Sequence, residues 1–256
     1  FLKNNVISKE FTKKLKLSDI VIHLAAQTDA TKSLEHPQSI YKNNFKSTKF
    51  VVDQVCKFKK KLIFISSTSV YGPQEKDVSE KTKIINLHPQ SPYARCKLKE
   101  ENYIKKIFKS KQLNDKFNIL RFGTIFGYSP GMRFHTAVNK FCWQAVFNEP
   151  LTIWKTALYQ KRPYLGINDS ARAIIHILKK DIFKNKIYNV LNFNKEVKEI
   201  IDIIQIKIPN AKIRFVKNRI MNQDSYSVIS NKFIDTGFKY KDSLKKLIFE
   251  EIKILK

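Results

Sequence analysis

Glycine is scarce in this chain: there are six in 256 residues, at Gly72, Gly123, Gly127, Gly131, Gly166 and Gly237. No three of them lie close enough to form a G-x-x-G-x-x-G turn, the element whose backbone N–H groups cradle a dinucleotide pyrophosphate. Cysteine is equally thin. Cys56, Cys96 and Cys142 are widely spaced and contain no C-x-x-C, which excludes a disulfide framework and a zinc knuckle. The five histidines (His23, His36, His88, His135 and His176) show no H-E-x-x-H or other ligand spacing, so no metal is expected. No run of about 18 apolar residues is present, so no transmembrane helix is expected. No signal peptide is visible either, and the expectation is a reducing, cytoplasmic setting.

Acidic residues and arginine are also in short supply. Lys+Arg number 49 against 22 for Asp+Glu, a formal charge of +27. A charge of that size suggests nucleic acid or an anionic membrane as partner. Only seven of the 49 basic residues are arginine, however, and the lysines are spread along the whole chain. Phosphate-reading surfaces usually use arginine forks or dense patches. The densest cluster, Lys57, Lys59, Lys60 and Lys61, sits just before an apolar run and reads as a solvated turn. A non-catalytic, nucleic-acid-binding protein is therefore the remote alternative, and a membrane partner is not expected. A hydrophobic content of 43% places the chain in the globular class.

The positive signal is alternation of strands and helices. Ile20 to Ala26, Leu62 to Ile65 and Phe117 to Phe122 are short apolar runs of the kind that form buried parallel strands. Helical spacing separates them, from Pro37 to Lys57 and from Pro92 to about Lys111. Strands joined by helix-length segments predict β-α-β units and an α/β fold with a doubly wound parallel sheet. Beyond Gly123 the chain breaks into shorter pieces. A helix is predicted from Asp169 to about Lys180, a strand over Ile187 to Leu191, and helices over Glu196–Ile206 and Ser243–Leu255. The expected division is a sheet domain over residues 1–122 and a smaller mixed α/β part over 123–256, interleaved with the sheet and covering the strand ends where such sheets bind ligands.

Tyr93 and Lys97 stand at i and i+4 of the predicted helix and so share a face. An ammonium beside a phenol favours the phenolate and pulls its pKa down from about 10 towards the range of a general base. Alone, such a pair is commonly a solvated helix face. Ser66, Ser67, Thr68 and Ser69 follow a buried strand, at the end where open sheets bind ligands, and a hydroxyl there is placed to bond a substrate oxygen.

Three segments taken together, Ser66-Ser67-Thr68-Ser69-Val70-Tyr71-Gly72, Ser91-Pro92-Tyr93-Ala94-Arg95-Cys96-Lys97 and Leu120-Arg121-Phe122-Gly123, resemble the extended short-chain dehydrogenase/reductase superfamily. The likeness is to its NAD-dependent nucleotide-sugar epimerase/dehydratase branch, and especially to UDP-glucose 4-epimerases. His23-Leu24-Ala25-Ala26, the Tyr41–Thr48 segment, Arg162 to Ala173 and the Ser230–Phe238 segment resemble further family motifs in the same order. The resemblance implies a Rossmann-like NAD-binding domain over 1–122 and a substrate-binding part over 123–256. It implies that Tyr93 is the acid/base, that Lys97 holds the nicotinamide ribose, and that Ser67 orients the reacting hydroxyl. Leu24, Ala25, Ala26, Asn44 and Gly123, with Tyr93 and Lys97, would line the cofactor, which would be NAD, with NADP also open. Thr124, Arg162 and Arg219, with Ser67, would meet a nucleotide-sugar, guanidinium forks being suited to a pyrophosphate. A homodimer is expected of the longer protein.

Departures from the family pattern sharpen the expectation. With the glycine-rich turn absent, Phe1 aligns just after the family's third strand, and on the order of 50–60 residues, about two β-α units, are expected upstream. The family's 4,6-dehydratases carry an Asp-Glu pair where this chain has Thr68-Ser69, which places epimerisation ahead of dehydration. Thr124 stands where many epimerases have asparagine. A net reductase or dehydratase of the same superfamily is the alternative.

Overall fold

The computed structural model describes residues 5–30, 32–216 and 225–256. In chain order the elements begin with α1 (Lys9–Leu17), β1 (Ile20–His23), α2 (Lys32–Glu35), α3 (Pro37–Ile40), a π-helical turn (Tyr41–Phe45), α4 (Lys46–Lys57) and β2 (Lys61–Ser67). Next come α5 (Pro92–Ser110), β3 (Phe117–Phe122), β4 (Thr124–Phe126), α6 (Ala137–Val146), β5 (Leu151–Trp154), β6 (Lys161–Gly166) and α7 (Ile167–Lys180). The last part holds β7 (Lys186–Val190), β8 (Phe193–Glu196), α8 (Val197–Lys207), β9 (Ile213–Val216), α9 (Asn231–Ile234) and α10 (Leu244–Leu255). Two compact units result. The first takes the chain up to Val70 together with Pro89–Arg121 and Ile177–Tyr188; the second takes Tyr71–His88, Phe122–His176 and Asn189–Lys256.

The first unit is built on a four-stranded sheet of order β1-β2-β3-β7. β1 and β2 are parallel, with Ile20 opposite Lys61 and His23 opposite Phe64. Strands covered on both faces need continuous apolar runs, and every residue of β3 is buried. Val51, Val52 and Val55 of α4 and Ile104 and Phe108 of α5 pack with Leu62, Phe64, Phe117 and Ile119, the helical residues falling at i, i+1 and i+4. α5 starts where its sequence says it should. Ser91 accepts a hydrogen bond from the Ala94 amide at 3.0 Å, and Pro92, which has no N–H to leave unpaired, occupies the first helical position.

Two local features differ from the sequence expectation. The Ile20–Ala26 run pairs only as far as His23, and Leu24 is 58% exposed. The predicted helix from Pro37 to Lys57 carries the π-helical turn, within which Asn44 and Phe45 are buried. A wider turn inserts one extra residue and rotates the helix downstream of it.

The second unit has a three-stranded mixed sheet, β4-β6-β8, with β4 parallel and β8 antiparallel to β6. A separate parallel pair joins β5 to β9. Its core is apolar packing of α6, α8 and α10, including Phe141, Cys142, Ile200, Ile204, Leu247 and Ile248, around Phe126 and Tyr164. The helix predicted from Asp169 begins at Ile167. Asp169 is fully buried and accepts hydrogen bonds from the Lys241 and Asp242 amides and from Asn192, with Arg172 as its ion-pair partner. Among the described residues no helix is long and apolar enough to cross a membrane, and no group of three His, Cys, Asp or Glu could hold a metal ion.

Glu251 of α10 is fully buried, and neither carboxylate oxygen has a hydrogen-bond partner among the described residues. Burial pushes its pKa up to about 7. Because the folded-state value lies above the unfolded one, the group favours the fold least once both states are ionised. Stability is fully present below about pH 4.5 and falls as pH rises towards 7. Glu251→Gln should therefore gain on the native chain across that window, by roughly 1–3 kcal/mol at pH 8, in urea titrations run at both ends of it.

Candidate active site

α5 and the end of β2 carry the site. Tyr93, Lys97 and Glu100 fall at i, i+4 and i+7 of α5, so one helix face holds all three. Ser67 is the last residue of β2, and a 3₁₀ turn at Thr68–Val70 carries the chain off the sheet. The turn folds back on the serine: the Ser69 amide and hydroxyl lie 3.2 and 2.9 Å from Ser67 Oγ. The Ser67 hydroxyl faces the Tyr93 phenol and favours its ionised form. Lys97 is buried, with its Nζ 3.1 Å from the Ile65 carbonyl oxygen and 3.2 Å from Glu100 Oε2. The same ammonium sits 4.6 Å from the Phe64 ring centre and 6.0 Å from that of Tyr93.

The electrostatics correct one expectation. Lys97 and the Ser67 hydroxyl both pull the Tyr93 phenol down, but burial is the larger effect and Glu100 acts with it, so the net shift is upward. The lysine itself loses from burial and gains more from Glu100 and Tyr93, and ends above its ordinary range. The i, i+4 spacing gave the sign of the Tyr93–Lys97 interaction and could not give the burial or the carboxylate beside it.

That carboxylate belongs to a pair the sequence reading missed. Glu100 Oε1 accepts from Thr48 Oγ1 at 2.5 Å, and Thr48 lies 3.0 Å from His23 Nε2. Thr48 has one proton and gives it to the carboxylate, so His23 donates through Nε2–H. Burial first, and Lys97 second, lower the His23 pKa to about 4, so the ring is neutral at pH 7. Glu101 faces another way. It takes two hydrogen bonds from Arg121, at 2.9 and 2.7 Å, and one from Ser66 at 2.6 Å. The available signal was Glu100-Glu101 at three and four residues after Lys97, which on a helix predicts contact.

Of the residues the sequence reading put on the cofactor side, Leu24, Ala25 and Ala26 form the irregular segment after β1. Asn44 accepts from the Gln27 amide at 2.8 Å and donates to the Gln27 carbonyl at 2.9 Å, which explains why this chain leaves the ladder in a fixed course. In the second unit Thr124 and Arg162 lie on the neighbouring strands β4 and β6, with Thr124 opposite Tyr164, and Gly123 immediately precedes β4. A Cβ at Gly123 would sit 3.1 Å from the Pro163 carbonyl, so glycine permits that close approach. Arg162 donates to Gln160 Oε1 at 2.8 Å and stacks over the Tyr226 ring at 5.4 Å. Arg219 lies outside the described residues.

The Arg121–Glu101 pair sets the stability of this site. Removing one charge of a buried pair leaves the other uncompensated, at a cost of about 3–5 kcal/mol. Glu101→Gln should lose that much in urea unfolding, and Glu101→Leu combined with Arg121→Met should recover a large part of it.

The NAD dependent epimerase/dehydratase family profile matches residues 2–190. A dTDP-D-glucose 4,6-dehydratase of Dictyostelium discoideum is 30% identical over 203 residues, 74% of this chain and 45% of that protein. An uncharacterised UDP-glucose epimerase of Bacillus subtilis is 29% identical over 186 residues, 70% of this chain and 55% of its own. The chain thus spans about half the length of these curated relatives. A UDP-glucuronic acid 4-epimerase from Bacillus cereus, solved with UDP-glucuronic acid and NAD, superposes with a TM-score of 0.86 at 25% identity over 100% of this chain and 81% of that one. The α/β, Rossmann-like sheet is thereby the fold of those enzymes, and the chain belongs to the NAD-dependent epimerase/dehydratase family of the short-chain dehydrogenase/reductase superfamily.

Proposed function

We propose that this chain belongs to an NAD-dependent enzyme that epimerises a nucleotide-sugar by transient hydride transfer, with a hydroxyl-bearing carbon such as C4 of a UDP-hexose as the reacting centre. The observation that carries the reading is the cluster at the end of β2, where Tyr93 faces the Ser67 hydroxyl and has the Lys97 ammonium 6.0 Å from its ring centre. The residues present fit the nicotinamide-ribose half of the cofactor. Lys97 is buried beside the tyrosine, Leu24–Ala26 run off the neighbouring strand, and Asn44 fixes the chain after them. The chemistry that NAD supplies is reversible acceptance of a hydride from the sugar carbon.

The protein's own part is proton handling and orientation. Tyr93, as phenolate, takes the proton of the sugar hydroxyl and later returns it. Ser67 orients that hydroxyl. Its oxygen already meets two donor groups of Ser69, which leaves its own proton for the Tyr93 or sugar oxygen. Thr124 and Arg162, with Arg219, are read as contacts of the nucleotide-sugar. Thr68 and Ser69 bring no carboxylate to the site, which supports epimerisation over water elimination. The relatives' names include a dehydratase as well as epimerases. The helix faces that begin at Pro37 and Pro92 are read as the contact of a homodimer.

The test is an assay of the native enzyme with UDP-hexoses and NAD at catalytic concentration. Interconversion of C4 epimers without net NADH is expected, and Tyr93→Phe should lower kcat by about 10²–10⁴-fold. Wild-type rates in Tyr93→Phe would remove Tyr93 as the base. Stoichiometric consumption of NAD(P)H would mark a reductase, and a 4-keto-6-deoxy product a dehydratase.

A further inference from the structure

The proposed proton transfer makes no use of Glu100, although it is a fully buried carboxylate next to the lysine on which that transfer depends. Its two oxygens are treated differently. Oε1 is anchored by Thr48, which His23 holds from behind, while Oε2 has no hydrogen-bond partner among the described residues and lies 3.2 Å from the Lys97 ammonium. Purely structural buried ion pairs can often be replaced by apolar side chains at no loss. A carboxylate set up by two further polar residues and aimed at one ammonium therefore invites a functional explanation.

We propose that Glu100 is a positioning residue of the Tyr93–Lys97 pair: anchored through Thr48 and His23, its carboxylate holds the Lys97 ammonium against the Ile65 carbonyl and takes up part of its charge, so that the lysine acts on the Tyr93 phenol at reduced strength. Tyr93, Lys97 and Glu100 then work as one charge-balanced triad on a single helix face. Among the described residues, the groups that face them leave no other counter-charge. From α5 comes Cys96, whose thiol burial pushes up to about 12 and which stays neutral. From β2 come the Ser67 hydroxyl, the Ile65 carbonyl and the Phe64 ring, from α4 the Thr48 hydroxyl, and from β1 the neutral imidazole of His23. Glu101 of α5 and Arg121 of β3 neutralise each other. Glu100 raises the Tyr93 phenol and Lys97 lowers it, so removing the carboxylate frees the full pull of the lysine.

The proposal rests on Tyr93 being the proton-transfer group, but its test needs neither substrate nor cofactor. In protein labelled with ¹³Cζ-tyrosine, the resonance missing from Tyr93→Phe identifies Tyr93, and its titration midpoint is followed with pH. In Glu100→Gln the midpoint should fall by about one pH unit or more. Glu100→Met, which fills similar volume with no polar atom, should move it the same way and carries the test if the glutamine variant does not fold. An unmoved or raised midpoint in a folded variant overturns the proposal. Loss of folding in both variants, with Tyr93→Phe intact, overturns it as well, because Glu100 would then serve the fold. A failed epimerase assay would withdraw the proposed activity and leave the titration result standing, whereas an unmoved midpoint would leave the activity standing.

Discussion

Two oxygens of Glu101 held by two nitrogens of Arg121, with Ser66 as a third donor, tie α5 to β3 and to the end of β2 inside a dry core. Taking both charges out of water is expensive, and only good geometry with the remaining lone pairs engaged makes the pair tolerable. The planar guanidinium fork supplies that geometry. A helix fixed in rotation and height by such a tie has its other side chains fixed too. Tyr93, Lys97 and Glu100 are placed relative to Ser67 because Glu101, the next residue along, cannot slip.

Within that frame the site is a balance of a few charges. Burial disfavours both the tyrosinate and the lysine ammonium, and the two groups support each other against it. Glu100 enters as a third charge that steadies the lysine and opposes the tyrosinate. The chain on the neighbouring strand is fixed by a neutral device, the Asn44 amide bonding both backbone groups of Gln27. The π-helical turn holds Asn44 buried, so an irregularity in the helix serves the course of a loop.

The second unit depends on close backbone approach. Gly72, at φ +64°, lies so near the His88 carbonyl that any Cβ would overlap it, and Gly123 lets the chain pass close to Pro163. Of the six glycines, Gly72 marks a place where no other residue would fit, and Gly123 one where a Cβ would crowd the neighbouring backbone.

Much of the first unit was legible in the chain itself. Continuous apolar runs at β2 and β3 announce strands buried on both faces, Ser91-Pro92 announces the start of α5, and 3.6-residue spacing gives the core faces of α4 and α5. In the second unit α8 was legible from Glu196, which caps the helix with its carboxylate in a box with Glu199. β4, β5, β8 and β9 were not legible, because three or four residues carry too little periodicity. For the site, the sequence determined that Tyr93 and Lys97 share a helix face and that serines follow a buried strand, since both depend only on local geometry. Tertiary structure alone decided the net direction of the Tyr93 shift and the partners of Glu100, Glu101 and His23, because burial and charge–charge contact depend on distances between segments far apart in the chain.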